Sequence, residues 1–396
     1  MPPLHLNALT FVSALGAGLA ATRDGLSQDR SGLRRNDFEY APLDCYIGRV
    51  DGLETVRLPA ALQSYDCRNH RLALVALEQD GFAQAVARAR ARHGADRVAV
   101  LLGTSTSGIL STELAYQRRD PETGALPNDL RYDHTHNFGA LAEFVRLYLQ
   151  LAGPSLAIST ACSSSAKVVA SAQRLIDTGI CDAAVVGGVD SLCRTTLYGF
   201  NALQLVSREP CKPFDATRDG LSIGEAAGFA LLERDPDEAS DGIAVRGYGE
   251  SSDAHHMSAP HPEGRGAQAA MRQALSRAGL TADAIDFVHA HGTATRNNDG
   301  TESIAIHDVL GAATPVASTK GAFGHTLGAA GIAGVVVSCL ALKHAFVPGT
   351  VNTSAVDPEC AAHIQLCSEP RRLRNVVTNA FGFGGNNCSL VIGLPS

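Results

Sequence analysis

Four short segments hold the residue types that chemistry needs. The first is Thr160-Ala161-Cys162-Ser163-Ser164-Ser165. A strand is predicted to end near Ser159 and a helix to begin at about Cys162. A thiol at a helix N-terminus meets free backbone N–H groups and the positive end of the dipole, and both favour the thiolate. The second is His291-Gly292-Thr293-Ala294-Thr295, after the apolar run Ile285–Ala290. A histidine at the carboxyl end of a strand faces a loop, where α/β proteins place their ligand sites. The third runs from Lys320 to Gly331 (KGAFGHTLGAAG), holding Lys320 and His325 in a glycine-rich loop ahead of an apolar helix. It has no GxxxxGK[ST] phosphate loop. The fourth is Phe381–Asn387 (FGFGGNN). Its glycines let backbone amides point into a site, as an oxyanion hole requires. Each segment also has a plain reading: a packed cysteine beside a serine cap, a structural histidine, a helix entry, a tight hairpin.

The elements around them alternate. Strands are predicted at Arg97–Leu102, Ser155–Ile158, Ala183–Gly188 and Gly228–Leu232, with helices over Phe82–Arg92 and Ser163–Thr178. In the latter, Val168, Ala172, Leu175 and Ile176 share one face. The acidic stretch Glu233–Gly242 (ERDPDEASDG) breaks the pattern. It then resumes with strands at Ile243–Tyr248, Ile285–Ala290, Val316–Ser318, Val376–Ala380 and Ser389–Ile392, and helices at Gly266–Ala278, Gly300–Val309 and Gly331–His344. Such alternation predicts α/β layers. The two similar halves are placed at residues 1–238 and 239–396, the first carrying the cysteine and the second the two histidines.

A 396-residue chain with 45% apolar and 18% charged residues is long enough for a large core. Its net charge of −7, without a block of like charge, argues against nucleic-acid binding. The ten cysteines form no CxxC pair and no zinc spacing, so they read as reduced, and the chain as cytoplasmic. Ala8–Ala21 is apolar but lacks the basic flank of a signal segment. Leu9–Leu15 reads instead as a first strand before a glycine turn. No stretch reads as the ~18 apolar residues that span a bilayer.

Taken together and in this order, TACSSS, HGTAT, KGAFGHTLGAAG and FGFGGNN resemble the β-ketoacyl-(acyl carrier protein) synthases, condensing enzymes of the thiolase fold. The likeness covers nearly the whole chain, including Asp190 and Cys211–Gly228. It implies two halves in an α-β-α-β-α arrangement and a decarboxylating Claisen condensation. Cys162 would carry the acyl group, and His291 and His325 would stabilise the enolate of a malonyl thioester. Lys320 and its carboxylate partner Glu302 would support the histidines. The backbone amides of Cys162 and Phe383 would form the oxyanion hole. Thr293 and Thr295 would hold phosphopantetheine, and Phe200 and Phe383 would gate the acyl pocket. No metal or bound cofactor is implied, since substrates arrive on the phosphopantetheine of an acyl carrier protein. Arg68, Arg71, Arg208 and Lys212 are the candidate contacts for that acidic partner. A homodimer is expected, with a chain-length-factor heterodimer as the alternative.

The sequence departs from the fatty-acid branch at two points. Gly334 stands where that branch carries a glutamate, and the last motif reads GGNN rather than GGTN. Gly103–Ile109 (GTSTSGI) is similar to ketosynthases of aryl-polyene clusters. A degradative thiolase would need a second cysteine. A cysteine hydrolase would need an orienting residue such as Asn379 or Asp299.

Overall fold

The computed structural model describes residues 1–237 and 240–394, so the expected boundary between residues 238 and 239 lies outside the described residues. Its centre is a twelve-stranded sheet, of which one member is the two-residue strand Gly16–Ala17, paired only with the first strand. The first half supplies β1 (Leu4–Ser13), β2 (Val98–Gly103), β3 (Ser155–Ile158), β4 (Ala183–Asp190) and β5 (Ala226–Glu233), in the order β1-β5-β4-β2-β3. The second supplies β6 (Ala244–Ser252), β7 (Phe287–His289), β8 (Pro315–Ala317), β9 (His363–Ile364), β10 (Asn375–Gly382) and β11 (Asn386–Gly393), in the order β6-β11-β10-β7-β8-β9.

The duplication that no residue-level repeat betrays is plain in the pairing. β1/β5 and β5/β4 are antiparallel, then β4/β2 and β2/β3 are parallel. Likewise β6/β11 and β11/β10 are antiparallel, then β10/β7 and β7/β8 are parallel. β1 and β6 pair antiparallel, Leu4 opposite Val245, and join the halves.

Helices complete the layers. α1 (Arg68–Leu77), α2 (Phe82–His93) and α3 (Gly139–Tyr148) pack on the first half-sheet. α4 (Ser164–Asp177) lies in the centre, and α5 (Arg194–Ala202) lies beside the site. α6 (Arg265–Ala278) packs on the second half-sheet, with α7 (Arg296–Leu310) against it. The second central helix is α8 (Ala330–His344); α4 and α8 pack on each other and on strands of both halves. This is the α-β-α-β-α arrangement.

Position in these layers explains the sequence. β4 is buried along all eight residues, because an interior strand covered on both faces reads as one apolar run. α8 is buried from Ala330 to Leu342. The run Leu327–His344 is apolar and long enough to cross a membrane, contrary to the sequence reading, but 89% of it is buried inside the protein. It is a core helix. The first strand begins at Leu4 rather than Leu9, because β5 and β6 flank it and bury even His5 and Asn7; the Asn7 amide is satisfied by Glu233. The helix expected from Gly300 starts at Arg296.

Candidate active site

Four loops at strand ends meet. β3 ends at Ile158, and the chain turns through Ala161 at φ +51°, a region costly for a residue with a Cβ. Serines hold the turn. The Thr160 N–H donates to Ser164 Oγ at 2.9 Å, Ser164 Oγ donates to the Ala161 carbonyl at 2.6 Å, and Ser163 Oγ donates to that of Thr160 at 2.9 Å. The helix opens at Ser164, so Cys162 stands on the strained turn just before it rather than at its start.

The thiol is 4% exposed. Its Sγ lies 3.0 Å from His325 Nε2, and the backbone N–H groups of Phe383 and Cys162 point at it. The expected lowering of its pKa is overturned. Burial pushes the thiol up to about 12, outweighing the Lys320 charge and the two amides. The resting group is a thiol.

His291 and His325 sit edge to face with ring centroids 5.2 Å apart. Burial, and after it the Lys320 charge, hold both well below the usual histidine range, so both rings are neutral. The Leu327 N–H donates to His325 Nδ1 at 3.3 Å, which assigns the ring proton to Nε2, the atom facing the sulphur. Donor atoms of Cys162, His291 and His325 lie within 4.8 Å of one another, close enough to hold a metal. The surroundings do not fit one. A metal-bound histidine passes its other N–H to an acceptor, whereas His325 Nδ1 faces a donor and His291 Nδ1 has no partner among the described residues.

Lys320 Nζ donates to the His291 carbonyl. Glu302 accepts the N–H groups of His291 and Gly292, each at 2.7 Å. The two side chains therefore clamp the His291 backbone from opposite sides. Among the described residues no ion pair joins them, but the Glu302 charge acts on Lys320 and the Lys320 charge on Glu302. Burial pushes Glu302 up to about 7 and Lys320 down. Asn379 and Asp299 orient no imidazole. Asn379 reaches Glu302 and Ser389, and Asp299 accepts the N–H groups of Phe214 and Ala294. That removes the hydrolase arrangement.

A cavity of about 380 Å³ opens above the thiol, lined among others by Phe200, Leu205, Leu221, Thr293, Thr295 and Phe383. Thr293 and Thr295 share a hydroxyl bond of 2.8 Å, and the rings of Phe200 and Phe383 stand 5.5 Å apart. Among the described residues Cys162 is the one cysteine of the lining. Cys211 is buried with its Sγ on the Lys320 carbonyl and is not in that lining, so the second cysteine of a thiolase is lacking there.

Two ties keep the loops together. Buried Asp190 accepts bonds from Thr104, Ser105 and Thr106 on one side and from the Gly328 N–H, at 2.5 Å, on the other. Lys167 of α4 donates to Asn386 Oδ1 at 3.2 Å, so the unusual asparagine of GGNN ties the FGFGG loop to the helix behind Cys162.

The carrier-protein candidates divide. Arg68 is buried against Glu225 and Glu54, and Arg71 is forked onto Asp66, so both are structural. Arg208 is exposed and Lys212 half-buried, close in sequence to the cavity residues Gln204 and Leu205. Arg296, exposed on the cavity wall, was missed, although its place directly after HGTAT is a signal. His289 was missed too, since only its place at the end of the apolar run before HGTAT marks it; it closes β7, while His291 lies in the loop beyond.

The loops therefore build a buried thiol, two neutral imidazoles and paired amide donors around one cavity, the equipment of an acyl-transferring condensing enzyme. Family models of β-ketoacyl synthases match the chain, the N-terminal domain over residues 68–238 and the C-terminal domain over 243–354. The chain belongs to this family. It is 38% identical over 261 residues to "3-oxoacyl-[acyl-carrier-protein] synthase 2" of Rhizobium meliloti, a match covering 61% of each chain. A protein of the same name from Staphylococcus aureus is 30% identical over 375 residues, 87% of this chain and 90% of that one. A solved ketosynthase from Xenorhabdus doucetiae, in complex with its chain length factor, superposes with a TM-score of 0.89 at 38% identity, covering 100% of this chain and 98% of that one.

Proposed function

We propose that the chain is a 3-oxoacyl-(acyl carrier protein) synthase that joins an acyl group held on Cys162 to malonyl-carrier protein, with release of carbon dioxide. The observation that carries this is the buried Cys162 thiol at 3.0 Å from His325 Nε2, with His291 beside it and two backbone amides on the sulphur. In the first step the thiol attacks the carrier thioester. The amides of Cys162 and Phe383 take the developing oxyanion, and the departing pantetheine sulphur takes up the proton the thiol gives up. In the second, the malonyl thioester oxygen sits between the two imidazoles. Neutral rings donate to that oxygen without a fixed positive charge that would hold the malonyl carboxylate in place. Loss of carbon dioxide leaves an enolate, which attacks the Cys162 thioester and expels the sulphur as a thiolate, and the thiolate takes up one proton from solvent.

Thr293 and Thr295 are the pantetheine contacts in this reading, and Phe200 and Phe383 gate the acyl pocket. Arg208, Lys212 and Arg296 face the acidic carrier. No resident cofactor is required. The relative from Xenorhabdus doucetiae is solved with a chain length factor. A partner of that kind is our reading for this chain, with a homodimer as the alternative. The segment GTSTSGI and Gly334 favour the polyketide or aryl-polyene side over housekeeping fatty-acid synthesis. Ten free cysteines fit a reducing, cytoplasmic setting. The test is chromatography of carrier-bound products after mixing acyl-carrier protein, malonyl-carrier protein and enzyme. A β-ketoacyl product from wild type, lost in His291→Ala by on the order of a hundredfold or more, is expected; an unaffected His291→Ala variant rejects the assignment.

A further inference from the structure

His289 is a buried histidine for which the reaction above has no use. It ends β7 opposite Thr378 of β10 and is 4% exposed. Its Nδ1 lies 3.2 Å from Thr378 Oγ1 and its Nε2 2.9 Å from Thr319 Oγ1. A neutral imidazole has one donor and one acceptor, and a hydroxyl can be either, so both ends are satisfied in either tautomer. Thr319 immediately precedes Lys320, whose Nζ holds the His291 carbonyl. One ring therefore ties β10 to the start of the lysine segment, and through it to the peptide of His291.

The room for this bridge comes from α8. A Cβ at Gly334 would lie 2.1 Å from Thr378 Oγ1 and 3.0 Å from His289 Nδ1. Any larger residue would push the threonine off the ring. Glycine inside a helix is unfavourable by about 1 kcal/mol against alanine, so a local helix preference is set aside here for the bridge. Burial, and then the Lys320 charge, push the imidazole down to about 3, so it is neutral. The titratable groups around Lys320 are Glu302 and Asp299 of α7, the thiols of Cys162 and Cys211, and the rings of His289, His291 and His325.

We infer that His289, seated in the notch left by Gly334, is a positioning residue that fixes Lys320 and hence the His291 backbone without placing a further charge beside the lysine. The inference rests on the condensing-enzyme reading. Its test uses the full chain with acyl- and malonyl-carrier protein, following acyl loading of Cys162, kcat, KM and the pH profile. His289→Leu and Thr319→Val should lower kcat on the order of tenfold with loading and KM little changed. His289→Gln, whose amide offers a donor and an acceptor, should restore most of it. Loss of the Lys320 proton would weaken its bond to the His291 carbonyl, so the alkaline limb of the kcat profile should report that proton, and His289→Glu should move it to higher pH because a carboxylate there holds the proton longer. Thr319→Val keeps its shape, so it carries the test if His289→Leu fails to fold. Variants with wild-type kcat and an unmoved alkaline limb beside a condensing wild type overturn this inference alone. A wild type that loads no acyl group overturns the reading beneath it as well.

Discussion

Replacing Asp190 by asparagine should loosen the turn that carries His325. The carboxylate is fully buried and accepts from three backbone N–H groups, of Ser105, Thr106 and Gly328, and from the hydroxyls of Thr104, Ser105 and Thr106. Hydroxyls can rotate to new partners, whereas backbone N–H groups cannot. Whichever oxygen becomes the amide nitrogen, a buried N–H of Gly328 or Thr106 is left facing a donor. One stranded N–H costs about 1–3 kcal/mol, and the remaining bonds lose their charge assistance, so the total is about 3 kcal/mol. For a chain of 396 residues that lowers Tm by roughly 4 °C. Because Gly328 lies in the turn just after His325, a small displacement there should also lower kcat by about tenfold. Calorimetry and the condensation assay read the two effects side by side. A Ser105→Ala control, which removes one hydroxyl only, should cost about 1 kcal/mol and leave kcat nearly intact. An Asp190→Asn protein with wild-type Tm and kcat refutes the reasoning. A lowered Tm with unchanged kcat refutes the link from Asp190 to the histidine.

The Cys162 thiol is held near 12, so its alkylation by iodoacetamide should quicken about tenfold per pH unit from neutral upward, as the thiolate fraction grows towards the pKa; a plateau with a midpoint near neutral pH contradicts the burial argument. Arg68→Ala leaves Glu225 charged and unpaired in the core, so urea unfolding should register a loss of about 3–5 kcal/mol. By contrast, Arg208→Glu should raise KM for the carrier protein and leave Tm in place; equal effects of the two on KM would return Arg68 to the docking surface. Lys167→Met should lower kcat severalfold by releasing the FGFGG loop from α4, with a stability change under about 1 kcal/mol for a part-exposed contact. A larger fall in Tm than in kcat would make the contact structural.

Much of this site is legible in the residues because each motif couples a reactive side chain to a local backbone demand. Cys162, His291 and His325 are found at strand ends and glycine turns, as patterning predicts, and the Phe200–Phe383 and Thr293–Thr295 pairs do meet. The electrostatics are not legible, since they depend on burial by distant segments. Nothing around Cys162 in sequence shows how deeply the residue is buried, and that burial outweighs the Lys320 charge and the nearby amides. Arg68 looks like a surface cation until Glu225, 157 residues away, is folded against it. Glu302 is found through the family resemblance alone. Its hold on backbone amides, rather than on Lys320, follows from the path of α7 beneath the HGTAT loop. The bridge of His289 needs β10, α8 and the lysine segment together, which no local window contains.

The most direct test of the central claim is the intact mass of the protein after incubation with a panel of acyl-carrier proteins and then with malonyl-carrier protein, with Cys162→Ala alongside. The account predicts an acyl adduct on wild type, absent from Cys162→Ala, that malonyl-carrier protein discharges into a β-ketoacyl product. An adduct that persists in Cys162→Ala, or no adduct with any donor, would contradict it.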